Sequence, residues 1–126
     1  MYQGYRVKIN GNIVRNQIIV RGSYSAQKER RVLATYYDGY GVKHEELSPR
    51  ETVTISFTIR EHNIAEHAEI MKILETENNV EVEYWDDKKL VYNIGYFKIE
   101  SYKIEHQNAF QNNIMYKSMP LTLKEY

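Results

Sequence analysis

From Glu51 to Arg60 the chain alternates without a break. Val53, Ile55, Phe57 and Ile59 fall on one side, and Thr52, Thr54, Ser56 and Thr58 on the other. A period of two puts successive side chains on opposite faces of an extended strand, so this segment buries one face and wets the other. Half-wet strands are the building blocks of antiparallel sheets. The same period recurs at Val80, Val82 and Tyr84, set between Glu81, Glu83 and Trp85. The polar break Asp86-Asp87-Lys88-Lys89 then leads into Leu90 to Tyr96, which predicts a hairpin. Near the start, Arg6-Val7-Lys8-Ile9 and Asn12-Ile13-Val14-Arg15 flank Asn10-Gly11, a pair that tolerates the positive φ angles of a tight hairpin turn. Ile18-Ile19-Val20, Phe97 to Ile104 and Ile114 to Lys124 extend the pattern, with Pro120 expected to put the last strand at an edge or to force a bulge.

One helix interrupts the strands. Asn63 is placed to cap it and Glu66 to complete a capping box, and Ile64, Ala68, Met71 and Leu74 make an apolar stripe over roughly residues 64 to 77. Asn78-Asn79 is the expected stop. Residues 105 to 113, polar and amide-rich, read as a loop. Residues 22 to 48 combine a basic cluster with Tyr36, Tyr37 and the turn Asp38-Gly39-Tyr40-Gly41, and are expected to form an extended arm or loop. The expectation is therefore a single β-rich domain over residues 1 to 126, mainly β as a sandwich or open barrel, with one packed α-helix.

At 126 residues the chain has room for one core. It has no cysteine, which excludes disulfides and thiolate metal sites. The opening Met1-Tyr2-Gln3-Gly4-Tyr5-Arg6 has no apolar run of signal-peptide type, and the expectation is a soluble protein made in the cytoplasm, without membrane contact. Formal net charge is zero, yet residues 1 to 50 carry +5 and the rest −5. Such a division either marks complementary faces between copies or is interleaved by folding.

Residue patterns argue against catalysis. His62 and His67 lack the i, i+4 spacing of zinc-protease helices, and His44 and His106 sit in polar stretches without a ligand pattern. Glu81 and Glu83 share the wet face of their strand, where solvated charge belongs. No nucleophile elbow, phosphate-binding loop or dinucleotide fingerprint is present. The expectation is no catalytic, cofactor-binding or metal site. Twelve tyrosines stand out, since a large ring with a polar tip suits half-buried strands and interfaces. Lys28, Arg30 and Arg31 lie close in sequence to Tyr36, Tyr37 and Tyr40, a combination that serves a subunit contact or a stacking platform for single-stranded nucleic acid. With no basic excess the subunit contact is favoured, with Glu66, Glu69, Glu81 and Glu83 as acceptors on another copy.

The order of these pieces resembles that of small tail proteins encoded in phages and prophages of Gram-positive bacteria, which are similar to the tail-tube and distal-tail (baseplate hub) class. The resemblance lies in layout: Val7-Lys8-Ile9-Asn10-Gly11, an irregular basic segment, the alternating Val53 to Ile59, one helix at about residue 64, and a hairpin through Tyr84 and Tyr92. It implies a ring-forming virion subunit, commonly a hexamer around the tail channel, whose partners are further copies of itself and other tail proteins, with nucleic acid met only as DNA in the channel. The segment from 22 to 48 holds the place of the loop that reaches a neighbour in that class. No second, carbohydrate-binding-like domain follows, so the ring role is implied and receptor contact is not. The alternative from another class is a small β-barrel binding single-stranded nucleic acid or oligosaccharide.

Overall fold

The computed structural model describes residues 2–75 and 79–126, with side chains omitted at 31–33 and 48–49. Nine strands and one helix follow one another as β1 (Val7–Ile9), β2 (Asn12–Val14), β3 (Ser25–Tyr37), β4 (Lys43–Ile59), α1 (Ile64–Ile73), β5 (Val80–Asp86), β6 (Val91–Ile99), β7 (His106–Ala109), β8 (Ile114–Tyr116) and β9 (Met119–Glu125). Seven of them form one antiparallel sheet in the order β2-β1-β5-β6-β9-β4-β3, and β7 and β8 form a separate pair. The protein is mainly β with one packed helix, as the alternation predicts.

The alternating residues do what their period requires. Val53, Ile55, Phe57 and Ile59 of β4 are buried and meet Val80, Val82 and Tyr84 of β5, Phe97 and Ile99 of β6, and Met119, Leu121 and Leu123 of β9 in a single core. Asn10 and Gly11 both take positive φ, 48° and 82°, at the β1–β2 turn. The sheet curls until its two ends meet. Beyond β2 a 3-10 turn at Asn16–Ile18 brings the chain alongside the end of β4, where Val20 N–H donates to Thr58 O and Arg60 N–H donates to Ile18 O, each at 2.8 Å. Tyr24 then reaches back to the residue before β1, its hydroxyl 3.4 Å from Arg6 O.

The helix closes one end of this curled sheet. Asn63 caps it by accepting from Glu66 N–H at 3.0 Å, as expected, but the Glu66 carboxylate pairs with Arg60 instead of completing a capping box. Of the predicted stripe Leu74 is buried and Ala68 is exposed, so the buried face is turned toward Ile70 and Ile73. Ile70, Ile73 and Leu74 are buried against Ile9, Val14, Ile18, Phe57, Ile59 and Leu121; Met71 only packs on the rim, and Ile64 is exposed. The reason is that the sheet mouth lies over the C-terminal half of a short helix, so its last turn supplies the contacts. The helix ends at Ile73 with Leu74 as its cap and Glu75 already outside it, short of the predicted end at residue 77; residues 76–78, with Asn78 of the expected stop, lie outside the described set.

Two further expectations change. Residues 105 to 113 are not all loop, because β7 lies in this stretch and pairs with β8 just beyond it. Pro120 does not make β9 an edge strand; β9 runs between β4 and β6. Pairing with β6 covers only Ile99↔Leu123 to Phe97↔Glu125, with Glu100 N–H still reaching Thr122 O, so Pro120 lies where β6 has already left and its missing donor costs nothing on that side.

Ile70→Ala is expected to lower stability by about 2–5 kcal/mol, whereas Ile64→Ala changes it by roughly 0.5 kcal/mol at most. Urea midpoints of the two variants measure the difference; equal midpoints would mean that the helix does not pack by its C-terminal turn.

Candidate functional site: the hairpin arm and its base

β3 and β4 outrun the core. Their pairing is regular from Ser25↔Ser56 to Arg30↔Glu51, then slips twice, between Arg30 and Val32 and between Val32 and Ala34, before continuing to Tyr37↔Lys43. Bulges of this kind bend a hairpin and sharpen its twist. Burial of β4 stops at Val53, so the part of the hairpin beyond the bulges projects from the end of the sheet opposite the helix.

The arm's tip is ordered by one carboxylate. Asp38 Oδ1 accepts from the N–H groups of Tyr40 at 2.8 Å and Val42 at 3.0 Å, while Oδ2 lies 3.0 Å from His44 Nε2. The His44 hydrogen bond first, then the two backbone donors, hold the Asp38 carboxyl below its ordinary value. His44 in turn stacks on Tyr36, ring centroids 5.1 Å apart. Against this fixed turn, the outward side chains are apolar or aromatic. Tyr40 is 95% exposed and Tyr37 67%, with Tyr36, Val42 and Leu47 also exposed. Hairpin arms of this length are not stable through their own pairing alone, and isolated two-stranded ribbons are marginal in water.

What fixes the arm is a clasp at its base. Lys28 of β3 reaches across to Asp86 at the end of β5, Nζ to Oδ2 2.8 Å, with 2% of the Asp86 side chain exposed. β3 and β5 stand far apart in the order of the sheet, so this pair closes the curl at the arm end. Asp86 also accepts from Asn93 Nδ2 at 2.7 Å and from the N–H groups of Lys88 and Lys89. Burial alone would raise its pKa; the hydrogen bond from Lys28 and those from the β5–β6 turn outweigh this and hold it below the usual carboxylate range. The Lys28 ammonium is pushed up, chiefly by its hydrogen bond to Asp86. Beside the clasp, Glu125 of β9 turns inward over Gly95, where a Cβ would lie 2.5 Å from its Oε2, and accepts from Val53 N–H at 3.2 Å with Arg50 at 3.8 Å.

The sequence-predicted interface residues therefore separate. Lys28 serves the clasp. Arg30 lies 3.9 Å from Glu51, its partner across the hairpin. Arg31 lies in β3, with its side chain outside the described set. Tyr36, Tyr37 and Tyr40 are together at the arm tip. Glu69 is bound in a fork by Arg15, at 2.8 and 2.9 Å, and Glu66 by Arg60, both within the one subunit. Glu81 and Glu83 point outward from β5, directly across from Tyr96 and Ile94 of β6, which are 58% and 63% exposed. The +5/−5 division is partly interleaved by folding, since Arg15, Lys28 and Arg50 meet Glu69, Asp86 and Glu125. Sequence reasoning missed Asp86, Asn93 and Asp38; only Asp38, in an Asp-Gly turn, carries a local signal.

Asp86→Asn should cost about 2 kcal/mol, the scale of a hydrogen bond to a charged group. A folded-state pKa below the unfolded one makes the carboxylate's contribution complete above pH ~4 and lost as pH falls through the folded value; the raised Lys28 pKa makes its contribution complete below pH ~10 and lost above the folded value. The gap in urea midpoint between parent and variant should thus be full at pH 7 and shrink toward pH 2. A gap that does not change with acid would remove the ion pair from the account.

Across its full length, residues 1–126, the chain matches the model of the "Family of unknown function (DUF6711)", and it belongs to that family. No curated protein matches it by sequence. Among solved structures it is similar in fold to a chain of the "Tail of empty GTA particle computed with helical refinement, C6 symmetry", at 14% identity and a TM-score of 0.53, covering all of this chain and 95% of that one. A chain of the "Virion of native gene transfer agent (GTA) particle" is similar at 13% identity and a TM-score of 0.50, covering 98% and 91%.

Proposed function

We propose that this member of the family is a structural subunit of a phage-type tail, acting by self-assembly and without catalysis. The observation that carries the reading is the clasped arm: a hairpin held rigid at base and tip that presents Tyr36, Tyr37, Tyr40 and Val42 to solvent. Exposed aromatic residues on a pre-ordered element bind with little loss of conformational entropy, the property an interface anchor needs. The likeness in fold to chains of gene-transfer-agent particles, one refined with six-fold symmetry, supports the reading along the whole chain.

In this proposal the arm tip of one copy seats on the outward sheet face of the next, where Ile94 and Tyr96 stand among Glu81, Glu83, Lys8 and Lys98. Arm and face are different patches, so the contact is heterologous and generates a ring when the rotation closes. A ring of six, in the virion, at the tube or the distal end of a tail, is the form proposed. Arg30 and Arg31 would then add rim contacts, each contributing about 0.2–1 kcal/mol and weakening with salt.

Light scattering on a sizing column tests this. The parent protein should form a discrete oligomer or lengthen with concentration, and the double variant Tyr37→Ser, Tyr40→Ser should stay monomeric with an unchanged urea midpoint. A parent that remains monomeric at every concentration would contradict the proposal. If Arg30→Glu with Arg31→Glu leaves assembly intact and abolishes binding to single-stranded DNA, the nucleic-acid module is the better reading of the arm.

A further inference from the structure

At the helix end, far from the arm, three histidines gather around one tyrosine. His62 is 1% exposed; its Nδ1 lies 2.8 Å from Arg60 O and its Nε2 2.9 Å from His67 Nδ1. The His67 ring stacks on Tyr116 at 3.8 Å between centroids, His62 stacks on the same ring at 5.2 Å, and His106 meets it edge-on at 5.1 Å. These rings join three separate pieces of the chain: the segment before α1, the first turns of α1, and the β7–β8 hairpin.

Hydrogen-bond chemistry fixes the protons. A carbonyl oxygen only accepts, so His62 Nδ1 carries a hydrogen; in the neutral ring its Nε2 is then bare and must accept from His67 Nδ1–H. This leaves His67 Nε2 as the bare nitrogen of the pair. One added proton can be held with the N–H···N bond intact, but a second sets N–H against N–H and breaks it. The surroundings do not welcome even the first. Around the rings stand Arg60, whose guanidinium is engaged by Glu66 and by the Gln17 and Glu61 carbonyls, Glu61 itself, which accepts from Gln107 Nε2 at 3.2 Å, His106 and Tyr116 of the hairpin, and Lys117, bound to Glu105. Among the described residues no carboxylate bonds either imidazole. Burial first, then the neighbouring His62 and His106, lowers the His67 pKa.

The hairpin has little else to hold it. No residue from 103 to 118 belongs to the buried core; β7 is exposed throughout and β8 half-buried. Besides the half-buried Ile114 and Met115 of β8, its ties to the rest of the fold among the described residues are polar: the bridge in which Tyr116 N–H donates to His62 O at 2.8 Å and His62 N–H to Tyr116 O at 3.3 Å, the bond from Ile64 N–H to Asn113 Oδ1 at 3.3 Å, and the Gln107–Glu61 bond.

We propose that the His62–His67–Tyr116 stack is a proton-sensitive latch that docks the β7–β8 hairpin on the start of α1 when the imidazoles are neutral and loosens it on acidification. The sign follows from linkage. A histidine whose pKa is lower when docked binds more protons undocked, so the latch is at full strength above the unperturbed value near 6.5 and weakens as pH falls from there toward the docked value. The core is untouched, because none of its buried side chains belongs to the hairpin.

Amide hydrogen exchange on the full chain, followed by NMR and corrected for the intrinsic pH dependence, reads this directly. Protection of the Tyr116 amide should fall by at least about threefold between pH 7.5 and pH 5, while that of Val82 and Leu123 holds. His67→Phe keeps a ring on Tyr116 without a titrating group, and in it the pH dependence of Tyr116 should vanish. Should His67→Phe fail to fold, the His67 Cε1–H shift in the parent should titrate below the unperturbed histidine value and in step with loss of Tyr116 protection. A Tyr116 amide equally protected at both pH values, a pH dependence that survives in His67→Phe, or a His67 shift that titrates out of step would each overturn the latch.

Discussion

A carboxylate with 2% of its side chain in water must be given partners where it lies, because a lone buried charge costs several kcal/mol. Asp86 meets this demand with Lys28, Asn93 and two backbone donors, and in doing so determines the geometry of the arm. Three strands stand between β5 and β3 in the sheet order, so the ion pair can form only if the sheet curls. Curling at that end is what gathers the inward residues of β4, β5, β6 and β9 into a single core. The same bond holds the root of the β3–β4 hairpin just before the bulges that release it from the core. The exposed tyrosines at the tip are thereby presented on a stiff support.

The two ends of the curled sheet solve the same problem with different chemistry. At one, Ile70, Ile73 and Leu74 of the helix cover the apolar mouth; at the other, the Lys28–Asp86 pair and the inturned Glu125 close it with hydrogen bonds. Apolar closure is non-directional and tolerates small shifts, whereas the polar closure fixes direction through the geometry of its donors. The arm leaves from the polar end, where a fixed direction suits the neighbour contact proposed for it. The histidine stack belongs to the apolar end, on the rim outside the helix, so protons arriving there leave the clasp unaltered.

Much of this fold was legible locally. Val53 to Ile59 declares a half-buried strand in its own period, Asn10-Gly11 declares a turn that needs positive φ, and Asn63 declares a helix start, because in each the cause lies within a few residues. Leu74 was placed in the helix stripe correctly, but its start was misassigned because Ile64 and Ile70 are equally apolar, and only the position of the sheet mouth decides which is buried. β8 falls within the strand predicted from Ile114, but β7 was missed because its own composition is that of a loop, and the rings its hairpin packs on, His62 and His67, lie about forty to fifty residues away in sequence. Lys28 looked like a surface cation beside Arg30 and Arg31; its partner, 58 residues away, carries no signal in the sequence. The charge division suggested contacts between copies, and folding uses part of it within one.

The central claim is that the clasped arm of one subunit seats on the β5–β6 face of the next. Because the chain has no cysteine, a single engineered pair reports on it without interference. Mixing subunits carrying Tyr40→Cys with subunits carrying Ile94→Cys under mild oxidation should give a disulfide-linked heterodimer in high yield, and adding Asp86→Asn to the arm-bearing partner should reduce that yield. Cross-linking no greater than that between Tyr40→Cys and a cysteine placed at Lys72, on the helix at the opposite end, would contradict the claim.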